Sequence, residues 1–152
     1  MSYLLDVNVL VALLWPEHKF HEIVQDWFGK HARKGWATCP LTQAGLVRIV
    51  SNPAFSPQAV PPVEALRALA LSLQHPAHQF WHDDATVTDA LAMFGKRLVG
   101  HQQVTDAYLL GLAIKKKGKL ATLDRSLIEL SGRGEAESTA VELIAVGSRR
   151  DS

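Results

Sequence analysis

The stretch VTDAYLLGLAIKKKGKLATLD, residues 104–124, contains a helix, a stop signal and a buried strand in direct succession. Apolar spacing predicts a helix from Val104 to Lys117, which Gly118 ends. The run Leu120–Leu123 predicts a buried strand that finishes at Asp124. Short apolar strands separated by helices are typical of a mainly parallel sheet with helices on both faces, so we predict an α/β fold.

The same alternation extends over the rest of the chain. Strands are predicted at 3–5, 36–39, 79–81 and 141–146, and helices at 18–31, 42–51, 63–73 and 87–94, with helical turns at 9–14 and 126–131. No repeat, low-complexity tract or linker interrupts this pattern. We therefore predict a single domain over residues 1–148, followed by a short polar C-terminal tail at 149–152.

Composition is that of an ordinary globular protein. Of 152 residues, 47% are hydrophobic and 20% are charged, and the formal net charge of +1 neither requires nor excludes a polyanionic partner. Cys39 is the one cysteine, so no disulfide can form within the chain. The apolar N-terminus lacks a basic flank and is interrupted by Asp6, which argues against a signal peptide or a membrane span. We expect a cytoplasmic protein without membrane contact.

Three aspartates fall where parallel sheets bind ligands. Asp6 follows the strand YLL, Asp124 follows LATL, and Asp106 opens the helix from Val104. In a doubly wound sheet all three can meet in one crevice. Their mutual repulsion then favours a hard cation such as Mg²⁺, which binds one or two carboxylates together with water and phosphate. Each aspartate taken singly could equally be a turn residue or a helix cap.

Two polar neighbours, Asn8 and Thr122, are candidates for orienting these carboxylates through hydrogen bonds. Either could instead be an ordinary turn or strand residue. A phosphatase or receiver domain also places an aspartate after its first strand. A phosphatase with a nucleophilic aspartate would normally have a second acid two residues later, where this chain has Asn8.

Four motifs in this order and spacing resemble the PIN domain, most closely that of VapC-type toxins from bacterial toxin–antitoxin pairs. They are LLDVNVLVAL, CPLTQAGLVRIVSNP, QQVTDAYLLGLA and LATLDRSL. The resemblance covers essentially the whole chain. It implies a PIN-like fold with a five-stranded parallel sheet flanked by helices, endoribonuclease activity that depends on Mg²⁺ or Mn²⁺, and a cognate antitoxin that blocks the site.

The resemblance also implies the residues of the site. Asp6, Asp106 and Asp124 match three of the four acidic positions of the family as metal ligands, and Gln43 aligns with the fourth, which is normally a glutamate. The site would then carry three negative charges rather than four. An amide at this position can still bond a metal-bound water, so Gln43 joins the predicted catalytic set. A non-catalytic PIN-like module that binds RNA or protein remains the alternative.

Basic residues supply candidates for RNA contact. Arg48 on the Gln43 helix, and Arg97 and His101 in the loop before Asp106, are placed to meet a phosphate backbone, although each could simply be solvated. The run Lys115–Lys119 lies at the far end of the Asp106 helix, too distant for catalysis. His18 and His21 form an H-x-x-H pair without a third zinc ligand nearby, so RNA contact or solvation is favoured over zinc.

One predicted helix indicates that the chain forms a homodimer. The segment VEALRALALSL, residues 63–73, carries apolar residues on more than one face, which exceeds the need of a single core contact. We therefore predict a homodimer, with the surplus apolar face as the candidate contact.

Overall fold

The computed structural model describes residues 1–132 and 139–146. Its elements follow the chain as β1 (Tyr3–Leu5), α1 (Val7–Leu14), α2 (His21–Trp27), β2 (Trp36–Thr38), α3 (Pro40–Val50), α4 (Pro62–Ser72), β3 (His78–Phe80), α5 (Val87–Ala92), α6 (Val104–Lys115), β4 (Lys119–Thr122), α7 (Ser126–Ser131) and β5 (Val141–Leu143). A π-helical turn, Phe28–Ala32, continues α2, and 3₁₀ turns lie at Gly95–Arg97 and His101–Gln103. The predicted domain end at 148 and the tail at 149–152 lie outside the described residues.

The five strands form one sheet in the order β3-β2-β1-β4-β5. Every neighbouring pair is parallel, with Leu4 of β1 opposite Ala37 of β2 and Leu120 of β4. The predicted α/β fold with a mainly parallel five-stranded sheet is thus confirmed, and the sheet is in fact entirely parallel.

Each face of the sheet carries its own hydrophobic core. Successive residues of β1 contribute to one core and then the other, because side chains alternate between the two faces of a strand. Leu4 packs with Leu110 of α6 on one face, and Leu5 packs with Leu10 of α1 and Leu46 of α3 on the other. All of these side chains are fully buried. Helices therefore cover both faces of the sheet, as predicted, and both hydrophobic clusters stabilise the central strand.

The crevice of the sheet lies between β1 and β4. The chain leaves β1 through α1 on one face and enters β4 from α6 on the other, so the connections diverge at this pair of strands. Parallel sheets bind ligands outside the carboxyl ends of their strands at such a point. Asp6 directly follows β1 there, and its backbone N–H bonds the carbonyl of Ala121 at 2.9 Å, which fixes it to β4.

A glycine allows α5 to lie directly against α6. A Cβ atom at Gly111 would stand 2.7 Å from the carbonyl oxygen of Ala90, closer than real contacts allow. Any larger residue would push α5 away from α6, together with the loop that precedes α5. This close contact positions the segment 83–87 beside the first turn of α6.

Helix α4 leaves much of its apolar surface in solvent. Val63, Leu66 and Leu71 are 59%, 54% and 63% exposed, whereas Ala65 and Leu69 are buried against the core. Across the described parts of the chain, none of the helices combines the length and the apolar character needed to cross a bilayer.

Candidate active site

Asp6 is the most buried carboxylate of the site and caps helix α1. The residue is only 5% exposed. Oδ1 accepts a hydrogen bond from the backbone N–H of Val7 at 2.8 Å, and Oδ2 accepts one from the hydroxyl of Thr122 at 2.7 Å. Burial raises the pKa of Asp6, while these two hydrogen bonds act in the opposite direction. The carboxylate is therefore held in one orientation at the end of β1.

Thr122 and Asn8 connect the ends of β1 and β4. The Thr122 hydroxyl donates to Asp6 and accepts from the backbone N–H of Asp124 at 3.0 Å. The Asn8 amide accepts from the backbone N–H of Leu123 at 3.2 Å and donates to Thr122 at 3.5 Å. Both side chains thus bond the backbone or the carboxylates at the ends of β1 and β4, which is compatible with the orienting role predicted for them.

Asp124 lies two residues beyond β4, where a polar neighbour orients it. Its Oδ1 accepts hydrogen bonds from the backbone N–H and the hydroxyl of Ser126, at 2.9 and 2.8 Å. The sequence analysis missed Ser126. The signal was present, because an aspartate followed two residues later by serine is typical of a turn in which the carboxylate caps the next N–H.

Asp106 lies in the first turn of α6, where the charges of Asp6 and Asp124 affect its pKa. Its pKa is raised to about 6, first by burial and then by the negative charges of Asp6 and Asp124. The Asp124 charge also contributes to the raised pKa of Asp6. The three aspartates predicted from the sequence are therefore brought into one electrostatically coupled group at the crevice.

This group is open rather than a closed metal cage. Among residues 1–132 and 139–146, no set of three or more His, Cys, Asp or Glu side chains stands close enough to bind one ion directly. Mg²⁺ fits such a site because it retains several waters and needs only one or two carboxylates. The negative charges of Asp6 and Asp124 raise the pKa of Asp106 by repulsion. A divalent cation bound at the site would reduce this repulsion.

A depression of about 390 Å³ leads to Asp106 and Asp124. Its remaining lining is Val99, Gly100, His101, Gln102, Gln103 and Ser126. His101, predicted as an RNA contact, is therefore close to the carboxylates. The neighbouring Gln102 and Gln103 were not singled out in the sequence, and a glutamine pair carries no distinctive signal.

The Gln43 side chain bonds Thr38 at the end of β2. Its amide nitrogen donates to the Thr38 hydroxyl at 2.9 Å, and that hydroxyl also bonds Nε2 of His78 at 2.8 Å. Thr38 follows Trp36 on the face of the sheet covered by α1–α4, whereas Asp6 follows Leu4 on the α6 face. The hydrogen bond of the Gln43 side chain is thus directed to Thr38, and the structure gives it none with the three aspartates.

The two arginines are also not part of the carboxylate group. Arg48 lines a groove between α3 and α4 together with Gln43. Arg97 turns back toward its own segment, where its guanidinium bonds the carbonyl of Met93 at 3.3 Å. Of the three residues predicted to contact RNA, the structure brings only His101 to the depression that holds Asp106 and Asp124.

Other candidates from the sequence are engaged in local contacts. Nδ1 of His18 accepts the backbone N–H of Phe20, and Nδ1 of His21 lies 2.8 Å from the carbonyl oxygen of Ala12. Lys115 and Lys116 pair with Asp84, and all three side chains remain partly exposed to solvent. These contacts assign the H-x-x-H pair and the first lysines of the basic run to local structure.

The Gln43→Glu substitution is therefore expected to leave metal affinity within about threefold of the wild type, because a screened charge away from the aspartates adds little attraction. It should lower the free energy of unfolding by about 1 kcal/mol, since the N–H donated to Thr38 is lost. Metal titration and urea unfolding measure both effects. Gln25→Glu, on the exposed face of α2, is the matched control. Metal binding tightened tenfold or more would instead place residue 43 beside the ions.

Comparison with known proteins decides the family. The sequence model of the PIN domain matches residues 3–132. The chain belongs to the PIN domain family. The match spans all the secondary structure from β1 to α7 and includes Asp6, Asp106 and Asp124.

Relatives of this PIN domain extend over nearly its whole length. It is 41% identical to Ribonuclease VapC38 of Mycobacterium tuberculosis, over 94% of this chain and 98% of the relative. It is 42% identical to Ribonuclease VapC29 of the same species, over 87% of this chain and 92% of the relative.

Solved structures share the fold at much lower identity. VapBC2 from Rickettsia felis, bound to a DNA fragment from its promoter, aligns with a TM-score of 0.63 at 15% identity, covering 95% of this chain and 100% of that one. VapC20 of Mycobacterium tuberculosis, described as a Sarcin-Ricin loop cleaving toxin, aligns with a TM-score of 0.60 at 16% identity, covering 90% and 98%. At these identities the likeness concerns the PIN fold alone.

Proposed function

We propose that this PIN domain is the toxin of a toxin–antitoxin pair and acts as an endoribonuclease that hydrolyses RNA phosphodiester bonds with Mg²⁺ or Mn²⁺. The observation that carries the proposal is the coupling of Asp6, Asp106 and Asp124 at the crevice between β1 and β4. Relatives about 40% identical over most of the chain are named as ribonucleases, which supports the same reaction.

Asp6, Asp106 and Asp124 are the residues that would hold the ion, one or two of them directly and the rest through metal-bound water. When bound, a divalent ion neutralises charge on the scissile phosphate and makes water more acidic. The chain contributes a fixed anionic surface. Thr122 and the N–H of Val7 orient Asp6, and Ser126 orients one oxygen of Asp124.

Asp106 is the one aspartate of the site that lies on a helix, α6, rather than after a strand. It projects from the first turn of α6, where the partial positive charge of the helix N-terminus favours the ionised carboxylate. Its raised pKa means that protons and cations compete for this side chain. His101 and the two glutamines beside it line the approach, where they can contact the phosphates that flank the cleaved bond.

RNA cleavage by the purified chain should require added Mg²⁺ or Mn²⁺ and stop in EDTA. Because Asp106 has a pKa of about 6, the metal concentration for half-maximal cleavage should rise about tenfold per pH unit below that value, as one proton is displaced per ion. Labelled total RNA at pH 5, 6, 7 and 8 measures this dependence. Cleavage that persists in EDTA would contradict the metal site.

The same group determines how metal-free stability depends on pH. The pKa of Asp106 in the folded protein, about 6, lies above its ordinary value of 3.8. The contribution of Asp106 to the free energy of unfolding is therefore fully present below pH 3.8 and is lost as the pH rises through about 6. Added metal should restore stability above pH 6. Thermal unfolding at pH 7 with and without Mg²⁺ therefore provides a readout independent of activity.

Two protein partners belong to the proposal. A cognate antitoxin is expected because the relatives are VapC proteins and the R. felis structure is a VapBC assembly. A homodimer is expected from the exposed apolar side chains of α4, Val63, Leu66 and Leu71. Light scattering should give about twice the monomer mass of 16.7 kDa. A monomer at micromolar concentration would exclude the dimer and leave the ribonuclease proposal unaffected.

A further inference from the structure

An apolar groove adjoins the carboxylates on the other side of the first turn of α6. Its volume is about 580 Å³, and its lining includes Leu41, Asp83, Val87, Val104, Thr105 and Tyr108. Leu41, Val87 and Val104 are 41%, 56% and 41% exposed. Three large apolar side chains thus face solvent in one concave surface, which is the character of a ligand site rather than of ordinary protein surface.

The groove lies beside the proposed site of hydrolysis, at the same first turn of α6. Val104 and Thr105 line it, and the next residue is Asp106. Adjacent Cα atoms are about 3.8 Å apart, so a ligand that crosses the start of α6 meets both surfaces. One neighbouring depression is polar and contains Asp106 and Asp124, while the other is apolar. A single-stranded nucleic acid has this same division between its phosphates and its bases.

The charged groups of the groove are two carboxylates, those of Asp83 and Asp84. Asp84 is paired with Lys115 and Lys116, whereas within residues 1–132 and 139–146 the Asp83 side chain makes no hydrogen bond or ion pair. Asp83 lies close enough to Tyr108 for its charge to affect that hydroxyl. The hydroxyl of Tyr108 donates to the carbonyl of Ala85 at 2.9 Å, which leaves its oxygen free to accept.

We propose that this groove binds an unpaired guanine base next to the cleaved phosphodiester bond, with the Asp83 carboxylate accepting the N1–H and N2–H groups of the base. This inference rests on the proposed ribonuclease function and specifies its substrate. Unstacked bases in single-stranded RNA are recognised by such stacking and edge contacts. The charge of an unpaired carboxylate disfavours a phosphate in the groove and favours a ligand that donates hydrogen bonds.

Guanine fits this requirement better than the other bases. Its pairing edge carries two adjacent N–H donors, which match the two oxygens of a carboxylate in a charge-assisted pair. Adenine and cytosine each place a ring-nitrogen acceptor beside their amino group, and uracil offers a single N–H between two carbonyls. Those acceptors would face the negative charge of Asp83.

The test compares cleavage of short single-stranded RNAs that vary only in the bases flanking the cut. Wild-type kcat/KM should be about tenfold higher or more with guanine at one flanking position, the discrimination expected of a two-bond contact to a base edge. Inosine, which lacks the 2-amino group, should lose much of this advantage, whereas 7-deazaguanosine should keep it. Asp83→Asn should reduce the preference to threefold or less.

Asp89→Asn is the matched control, because it removes the same charge from an exposed position on α5 and should keep the guanine preference. The same preference in wild type and Asp83→Asn would overturn the inference, as would a substrate profile without guanine preference. Failure of the wild type to cleave any RNA would instead contradict the proposed function. In that case, weaker binding of a fluorescent guanine-containing RNA by Asp83→Asn alone would still support the groove, and unchanged binding would refute it.

Discussion

Asp6→Asn is expected to lower the rate of RNA cleavage by more than about a hundredfold while the chain remains folded. Even residues that only support metal ligands typically contribute 10- to 100-fold to affinity or activity, so loss of a ligand charge should cost more. Asp6 is the aspartate fixed on both oxygens, by Val7 and by Thr122. Asp106 lies on α6 and Asp124 follows β4, so neither takes the place of Asp6 at the end of β1.

The Asp6→Asn variant also allows the loss of activity to be distinguished from a loss of stability. The asparagine amide has one oxygen, so either the Val7 N–H or the Thr122 hydroxyl loses its acceptor, which costs stability. Removal of a buried charge acts in the opposite direction, because burial raises the pKa of Asp6. We therefore expect the metal-free unfolding temperature to change little. A variant that is inactive only because it is unfolded would contradict this explanation.

Cleavage of total RNA at pH 7.5 with Mg²⁺, together with thermal unfolding, measures both effects. Asp26→Asn is the control, since Asp26 forms an exposed ion pair with Lys30 at 3.1 Å on α2. It should retain wild-type activity and stability, as exposed pairs contribute little. Asp6→Asn with activity within tenfold of the wild type would place the hydrolytic centre elsewhere.

Leu120→Ala is expected to destabilise the fold by about 2 to 5 kcal/mol, the range for truncating a buried leucine. Leu120 is fully buried in β4, opposite Leu4 on β1 and Val141 on β5. The cavity would open between the sheet and α6, on the face of β4 that packs with Leu4. Activity should therefore fall at temperatures where the wild type is still fully folded.

Urea unfolding followed by circular dichroism measures the loss, and Leu71→Ala provides the comparison. Leu71 is 63% exposed on α4, so the same truncation should change stability by no more than about 0.5 kcal/mol. If α4 forms the dimer contact, Leu71→Ala should instead weaken association at low protein concentration. Equal destabilisation by both variants would contradict the assignment of Leu120 to the core.

Local patterns in the sequence predicted most of the elements. Each predicted strand and helix has a counterpart, and the differences lie at the ends. The segment 18–31 begins its helix at His21 and continues as a π turn over Phe28–Ala32, while the last strand stops at Leu143 instead of Val146. Ends depend on which backbone groups find partners in neighbouring elements, which a local pattern does not encode.

The sequence by itself determined the α/β class and the placement of Asp6 and Asp124 after two strands, because apolar periodicity defines the elements and a parallel sheet collects its strand ends at one edge. Tertiary structure decided where other side chains point. Gln43 bonds Thr38, which in turn bonds His78 some 40 residues away, on the opposite face of the sheet from Asp6. The groove beside α6 likewise joins residues of α3, α5 and α6 that are far apart in the chain. Both depend on strand pleat and on contacts between distant segments, which residue spacing along the chain does not specify.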